Sequence, residues 1–150
     1  MKVYFACSIR GGGDTSLYQA IVDAIKTAGG EVLSEVFVHD AINYGGSPLP
    51  AKEIYDRDIA MIHDADVMIA EVTNPSLGVG YELAYAENLK RPILCLFKKD
   101  ADKKLSAMIE GNSYNTIAYI DPDDIIESVQ QFFAATQPTL TRTLQKRTDR

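Results

Sequence analysis

Runs of β-branched and aromatic residues alternate along this chain with stretches in which apolar residues recur every three or four positions. The strand-like runs are residues 2–6, 31–37, 67–72, 92–97 and 116–120. Leu17, Ala20, Ile21, Ala24, Ile25 and Ala28 form a first helical stripe, closed by Gly29-Gly30. Ile54, Met61, Ile62 and Ala65 form a second, residues 79–89 a third, and Leu105, Met108 and Ile109 a short fourth. Asp121-Pro122-Asp123 opens a fifth helix carrying Ile125, Ile126, Val129, Phe132 and Phe133. This alternation predicts one α/β domain over residues 1–136. Its core is a five-stranded parallel sheet with helices on both faces, flavodoxin-like (Rossmann-like) and doubly wound. Residues 39–50, with Gly45-Gly46-Ser47-Pro48 and Pro50, lack either period and are expected to be a long loop able to cover a site.

In a doubly wound sheet, ligands bind at the carboxyl ends of the strands where the winding reverses, here between the first and third strands. The loops leaving those strands are residues 7–13 and 73–78. In the first, Gly11 and Gly12 let backbone N–H groups approach an anion, Ser8 offers a hydroxyl, and Arg10 a permanent charge suited to phosphate. The Lys-Ser/Thr ending of a P-loop is absent, and the alternative is a flexible turn with a solvated Arg10. Ser76 in the second loop is positioned to add a donor to the same anion. Gly78-Val79-Gly80 matches half a dinucleotide fingerprint but lacks the third glycine. Glu82 follows, expected in the first turn of the next helix with Tyr85, Ala86 and Leu89 as its helical neighbours. A carboxylate kept ionised by a helix terminus and facing an apolar wall suits a nucleophile or base; the alternative is a first-turn Glu that only complements the dipole.

Asp58 is the second anomaly, lying four residues after Ile54 and three before Met61, inside an apolar stripe. A buried carboxylate must be paired or functional, so Asp58 is either a site residue or a buried cap or ion pair. Its neighbours Asp56 and Arg57 are expected to face elsewhere on the helix. His39 and His63 have no metal-ligand spacing, and Cys7 and Cys95 form neither a CxxC nor a zinc pattern. No metal or organic cofactor is expected. Cys7 reads either as a reactive thiol or as a small packed residue at a strand end.

Hydrophobic residues at 46% and charged residues at 24% describe an ordinary globular domain. The net charge of −6 argues against binding a nucleic-acid polymer. No apolar run reaches the roughly 20 residues that span a bilayer, and Met1-Lys2-Val3-Tyr4-Phe5 enters a strand without a signal-peptide layout. The expected setting is reducing and cytoplasmic, or nuclear. Arg142, Lys146, Arg147 and Arg150 against Asp149 make residues 137–150 about +3 and the rest about −9. This basic segment is expected to be a mobile C-terminal tail.

Val3-Tyr4-Phe5, Ser8-Ile9-Arg10-Gly11-Gly12, Ala65-Asp66-Val67 and Ala70-Glu71-Val72-Thr73 occur in an order that carries a resemblance. Pro75-Ser76-Leu77-Gly78-Val79-Gly80-Tyr81-Glu82-Leu83 and Leu105-Ser106-Ala107-Met108-Ile109 complete it. The chain resembles the 2′-deoxynucleoside 5′-phosphate N-hydrolases, a group within the nucleoside 2-deoxyribosyltransferase superfamily, from residue 3 to about 135. The resemblance implies hydrolysis of the N-glycosidic bond of 2′-deoxynucleoside 5′-monophosphates to free base and 2-deoxyribose 5-phosphate. It implies Glu82 as nucleophile, Tyr4 positioning its carboxylate, and Asp58 assisting the departing base. Ser8, Arg10, Ser76 and Ser106 would hold the 5′-phosphate, with Ile9, Gly11, Gly12, Gly78 and Gly80 shaping the substrate loops. Ser106 would come from the partner subunit of a homodimer. The competing readings are a deoxyribosyltransferase that passes the sugar to a second base, and a nucleotide-binding domain without catalysis. The phosphate-binding set argues against the first, and two inward carboxylates against the second.

Overall fold

In the computed structural model of the chain, the backbone of residues 1–148 is described, with the side chains of residues 1–137 other than residue 44. The elements run β1 (Lys2–Ala6), α1 (Thr15–Thr27), β2 (Glu31–Val32), α2 (Glu35–Tyr44), α3 (Ala51–Asp64) and β3 (Val67–Glu71). They continue with α4 (Leu77–Asn88), β4 (Ile93–Lys98), α5 (Ala107–Glu110), β5 (Thr116–Ile120), a single 3₁₀ turn at Pro122–Asp124, and α6 (Ile125–Thr148). The strands pair in parallel in the order β2-β1-β3-β4-β5, the doubly wound order with its reversal between β1 and β3.

Alternation along β1 assigns its side chains to two cores. Val3 and Phe5 enter the layer under α1 and α6, with Ile21, Ile25, Ile69, Leu94, Val129 and Phe133. Tyr4 and Ala6 enter the opposite layer under α3 and α4, with Ile62, Met68, Val79, Leu83 and Ala86. β1, β3 and β4 are buried on both faces and read as continuous apolar runs, and four of the five predicted spans, including that of the more exposed edge strand β5, are close to those observed.

The predicted strand 31–37 is corrected: β2 stops at Val32, and a helix begins at Glu35. The cause is Ser34, whose buried Oγ accepts from Phe5 N at 2.8 Å and donates to Phe5 O at 2.7 Å. One hydroxyl thus satisfies both backbone groups that a longer β2 would have paired. Phe37 and Val38 then pack into opposite cores, so α2 straddles the sheet edge. The expected loop over residues 39–50 is accordingly shorter: α2 continues to Tyr44 and closes on Gly45 in the left-handed conformation, φ 69°. Residues 137–150, the expected mobile tail, fall almost wholly outside the described side chains; the backbone continues α6 to Thr148. No helix among the described residues is long and apolar enough to cross a membrane.

Candidate active site

The loops that leave β1 and β3 meet α3 and α4 around a cavity of about 690 Å³. Tyr4 forms its floor, because its position in β1 points the ring to the α3/α4 side, where it meets Phe37 edge-on at 6.0 Å. The Tyr4 hydroxyl donates to Glu82 Oε1 at 2.9 Å. Glu82 is not in the first turn of its helix, contrary to expectation. The helix begins at Leu77, with Ser76 as its cap accepting from Val79 N at 3.3 Å, so Gly78 and Gly80 are helical and Glu82 lies in the second turn. The dipole therefore does not govern its ionisation. Burial, with a smaller push from the Asp58 charge, raises its pKa from 4.5 to about 7, against the opposing Tyr4 hydrogen bond. Burial first, then the Glu82 and Asp58 charges, push the Tyr4 phenol far above its ordinary value, so Tyr4 remains a donor at working pH.

Asp58 lines the same cavity with Ile54, as its place in the stripe suggested. Its neighbour Arg57 was expected to face away and does not. Arg57 Nε donates to Asp58 Oδ1 at 3.1 Å, and its guanidinium carbon sits over the Phe37 ring, 4.4 Å from the centroid. A long, flexible side chain reaches sideways where helical spacing alone puts the two residues on different faces. Burial raises the Asp58 pKa, and the Arg57 hydrogen bond and charge oppose it. Asp56 does face elsewhere, paired with Lys52.

The β1 loop contributes to the same cavity. Ile9, Arg10 and Gly11 line it, together with Ser76 and Gly78 from the β3 side. Ser8 is 2% exposed, and its Oγ has no hydrogen-bond partner among the described residues. A buried hydroxyl left unpaired costs free energy and suits a ligand that supplies the missing partner. The loop is held from behind: the Tyr18 hydroxyl donates to Ser8 O at 2.8 Å, and Asn74 Nδ2 donates to Gly12 O at 3.2 Å, tying the two loops together. Gly12 adopts φ +76°, and a Cβ on Gly13 would lie 1.7 Å from the Tyr18 hydroxyl, so both positions need glycine. Gly12, Gly80 and Ser106 are exposed and outside the cavity lining; Ser106 caps α5 on the surface. Cys7 lines the cavity but is buried, its thiol pushed up to about 12 chiefly by desolvation, which makes it a packed residue rather than a nucleophile.

Sequence reasoning missed Phe37 because it was assigned to a strand, and Arg57 because only its side-chain path brings it to the site. Asp58 carried the signal for Arg57: a carboxylate in an apolar stripe requires a cation. Glu71, 1% exposed at the end of β3, is a further buried carboxylate; it accepts from Thr73 N at 2.9 Å and shapes the start of the second loop.

A sequence profile of the nucleoside 2-deoxyribosyltransferase family matches residues 3–119. The chain belongs to this family. It is 46% identical over 115 residues to the 5-hydroxymethyl-dUMP N-hydrolase of Esox lucius, covering 74% of this chain and 79% of the relative. It is 40% identical over 138 residues to the enzyme of the same name from Danio rerio, covering 89% and 96%. Among solved structures, the CMP N-glycosidase of Clostridium botulinum superposes with a TM-score of 0.60 at 16% identity, covering 86% of this chain and 98% of that one. At that identity the likeness establishes the shared fold.

Proposed function

We propose that this protein hydrolyses the N-glycosidic bond of 2′-deoxynucleoside 5′-monophosphates, releasing the base and 2-deoxyribose 5-phosphate. The observation that carries this is the Tyr4–Glu82 pair, 2.9 Å apart, inside a cavity that Arg10 also lines, with the unpaired Ser8 hydroxyl buried in the same β1 loop just outside the lining. N-hydrolase relatives at 40–46% identity support the same reading.

Ionised Glu82 attacks C1′ through an oxocarbenium-like transition state, and Tyr4 fixes the attacking oxygen by donating to the carboxylate. The C1′–N bond breaks with its electron pair leaving on the base, which takes its proton from solvent. Water then opens the glycosyl–Glu82 ester and frees the carboxylate. Asp58, paired with Arg57 through Nε, orients the departing base. Arg10, Ser8 and Ser76 hold the 5′-phosphate, and the β1 loop glycines let the backbone approach it. A missing 2′-hydroxyl eases development of the cation, in keeping with a deoxynucleotide substrate.

Incubation with 5-hydroxymethyl-dUMP, dGMP and the matching nucleosides, with and without an acceptor base, is the direct test. Release of base and 2-deoxyribose 5-phosphate from the monophosphates alone is the expected result. Base exchange on unphosphorylated nucleosides would instead make the protein a transferase, and binding without turnover would make it a nucleotide-binding domain.

The site is completed, in this reading, by Ser106 of a second copy. Ser106 at the start of α5 and Met108 within it are exposed, Met108 at 85%, as surface residues at a two-fold contact would be in an isolated chain. Mixing Glu82→Gln and Ser106→Ala chains, each impaired as a homodimer, should then recover activity above their average, since one site per mixed dimer is intact. Activity that stays at the average after chain exchange would place each site within one chain.

A further inference from the structure

Arg57 sits in the cavity wall and makes no contact with the Glu82–Tyr4 pair through any hydrogen bond among the described residues. It is nonetheless held firmly. The Nε bond to Asp58 and the Phe37 ring under its guanidinium fix it at two points, with the Arg57 and Asp58 side chains only 22% and 17% exposed. Partly burying a guanidinium is costly, and one bond through Nε does not use it up. Among the described residues its two terminal amino groups have no hydrogen-bond partner, and Asp58 Oδ2 accepts nothing. The cavity therefore presents a donor beside an acceptor, with apolar walls from Ile9, Ile54 and Val79, while the guanidinium covers a face of the Phe37 ring. Those walls suit the faces of a planar ring, and the polar pair suits its edge.

We propose that Arg57 and Asp58 read the edge of the nucleobase, and that Arg57 selects bases presenting a carbonyl beside a ring N–H. These are the imide edge of uracil and thymine and the lactam edge of guanine. The proposal rests on the N-glycosidase reading for its substrate class. Arg57 donates to the carbonyl oxygen while the Asp58 carboxylate accepts from the ring N–H. Cytosine and adenine present the opposite order, an amino group beside a bare ring nitrogen. Against them the Arg57 N–H meets another N–H, and the Asp58 lone pair meets a lone pair. The free Arg57 N–H and Asp58 Oδ2 are then left without partners although the two side chains stay paired with each other through Nε, an arrangement that discriminates between similar ligands.

Arg57 also acts on the rate. As the C1′–N bond breaks, its electron pair spreads onto the carbonyl oxygens of an imide or lactam base. The hydrogen bond from Arg57 to such an oxygen strengthens in the transition state, so its loss lowers kcat as well as binding.

The test compares kcat/KM on dUMP, dTMP, dGMP, dCMP and dAMP for the native protein, Arg57→Met and Arg57→Lys. Dissociation constants of the same nucleotides are measured by calorimetry on Glu82→Gln protein, with and without Arg57→Met. The native enzyme should favour dUMP, dTMP and dGMP over dCMP and dAMP by more than about tenfold. Arg57→Met should cost the favoured group about 10–100-fold and the other two less than about threefold, collapsing the ratio, with Arg57→Lys restoring part of it. An equal loss on all five substrates, or native hydrolysis of dCMP and dAMP at the rate of dUMP, overturns the proposal. If none of the five is hydrolysed but the calorimetry shows the edge preference and its loss in Arg57→Met, base reading stands and the glycosidase reading falls. If the calorimetry shows no preference, base reading falls whatever the turnover.

Discussion

Replacing Glu82 by Gln should stabilise the protein at neutral pH while removing its activity, and the pH dependence of that gain is the informative part. An ordinary Glu loses its proton near 4.5, whereas burial holds Glu82 protonated up to about 7. Between those values the folded state binds a proton that the unfolded chain has lost. Stability is thus fully present below about 4.5 and declines as the pH rises through about 7. At about 1.4 kcal/mol per pH unit, the interval amounts to roughly 3 kcal/mol. Partial solvent access to the cavity reduces this, leaving about 1–3 kcal/mol, or roughly 3–10 °C in Tm for a domain of this size. Gln fills the same volume, still accepts from the Tyr4 hydroxyl, and does not ionise. The Tm difference between Glu82→Gln and native protein should therefore grow from pH 4.5 to pH 7.5 and then level off. Thermal melts in matched buffers from pH 4 to 8.5 check this. Parallel curves across that range would show that Glu82 ionises as it does in the unfolded chain, and the desolvated-nucleophile account would be wrong. On the same protein kcat should fall by about 10²–10⁴-fold.

A nucleophilic Glu82 must be ionised, so in the proposed mechanism kcat/KM should rise with pH through an apparent pKa near 7, read from a pH–rate profile. Tyr4→Phe removes the hydrogen bond that opposes burial and should move this limb upward, whereas Asp58→Asn removes a nearby negative charge and should move it downward; shifts in the reverse directions would break the assigned causes. Arg10→Ala should cost roughly 1.5–3 kcal/mol in kcat/KM on monophosphates and little on the matching nucleosides, and equal losses on both would mean that Arg10 supports the loop alone.

The alternation of periods along the chain was enough to determine a doubly wound parallel sheet and to point to its switch between β1 and β3. A strand buried on both faces and an amphipathic helix leave distinct marks in a sequence, and the handed crossover leaves few ways to connect them. The same pattern singled out Glu82 and Asp58, since a carboxylate among core positions needs a partner or a task. It also marked Ser8 and Arg10 in a glycine-rich loop. What it did not determine depends on groups far apart in the chain. β2 stops at Val32 because the Ser34 hydroxyl binds Phe5, 29 residues away, a satisfaction that no local propensity encodes. The carboxylate of Glu82 is tuned by burial and by Tyr4, 78 residues earlier, rather than by the helix end that its local sequence suggested. Arg57 joins Asp58 because a flexible side chain chose Phe37 as its resting surface, and Phe37 is there only because α2 replaced a strand. Local pattern decides which faces are buried. Tertiary contact decides which polar groups meet there, and so the charge states and partners of this site.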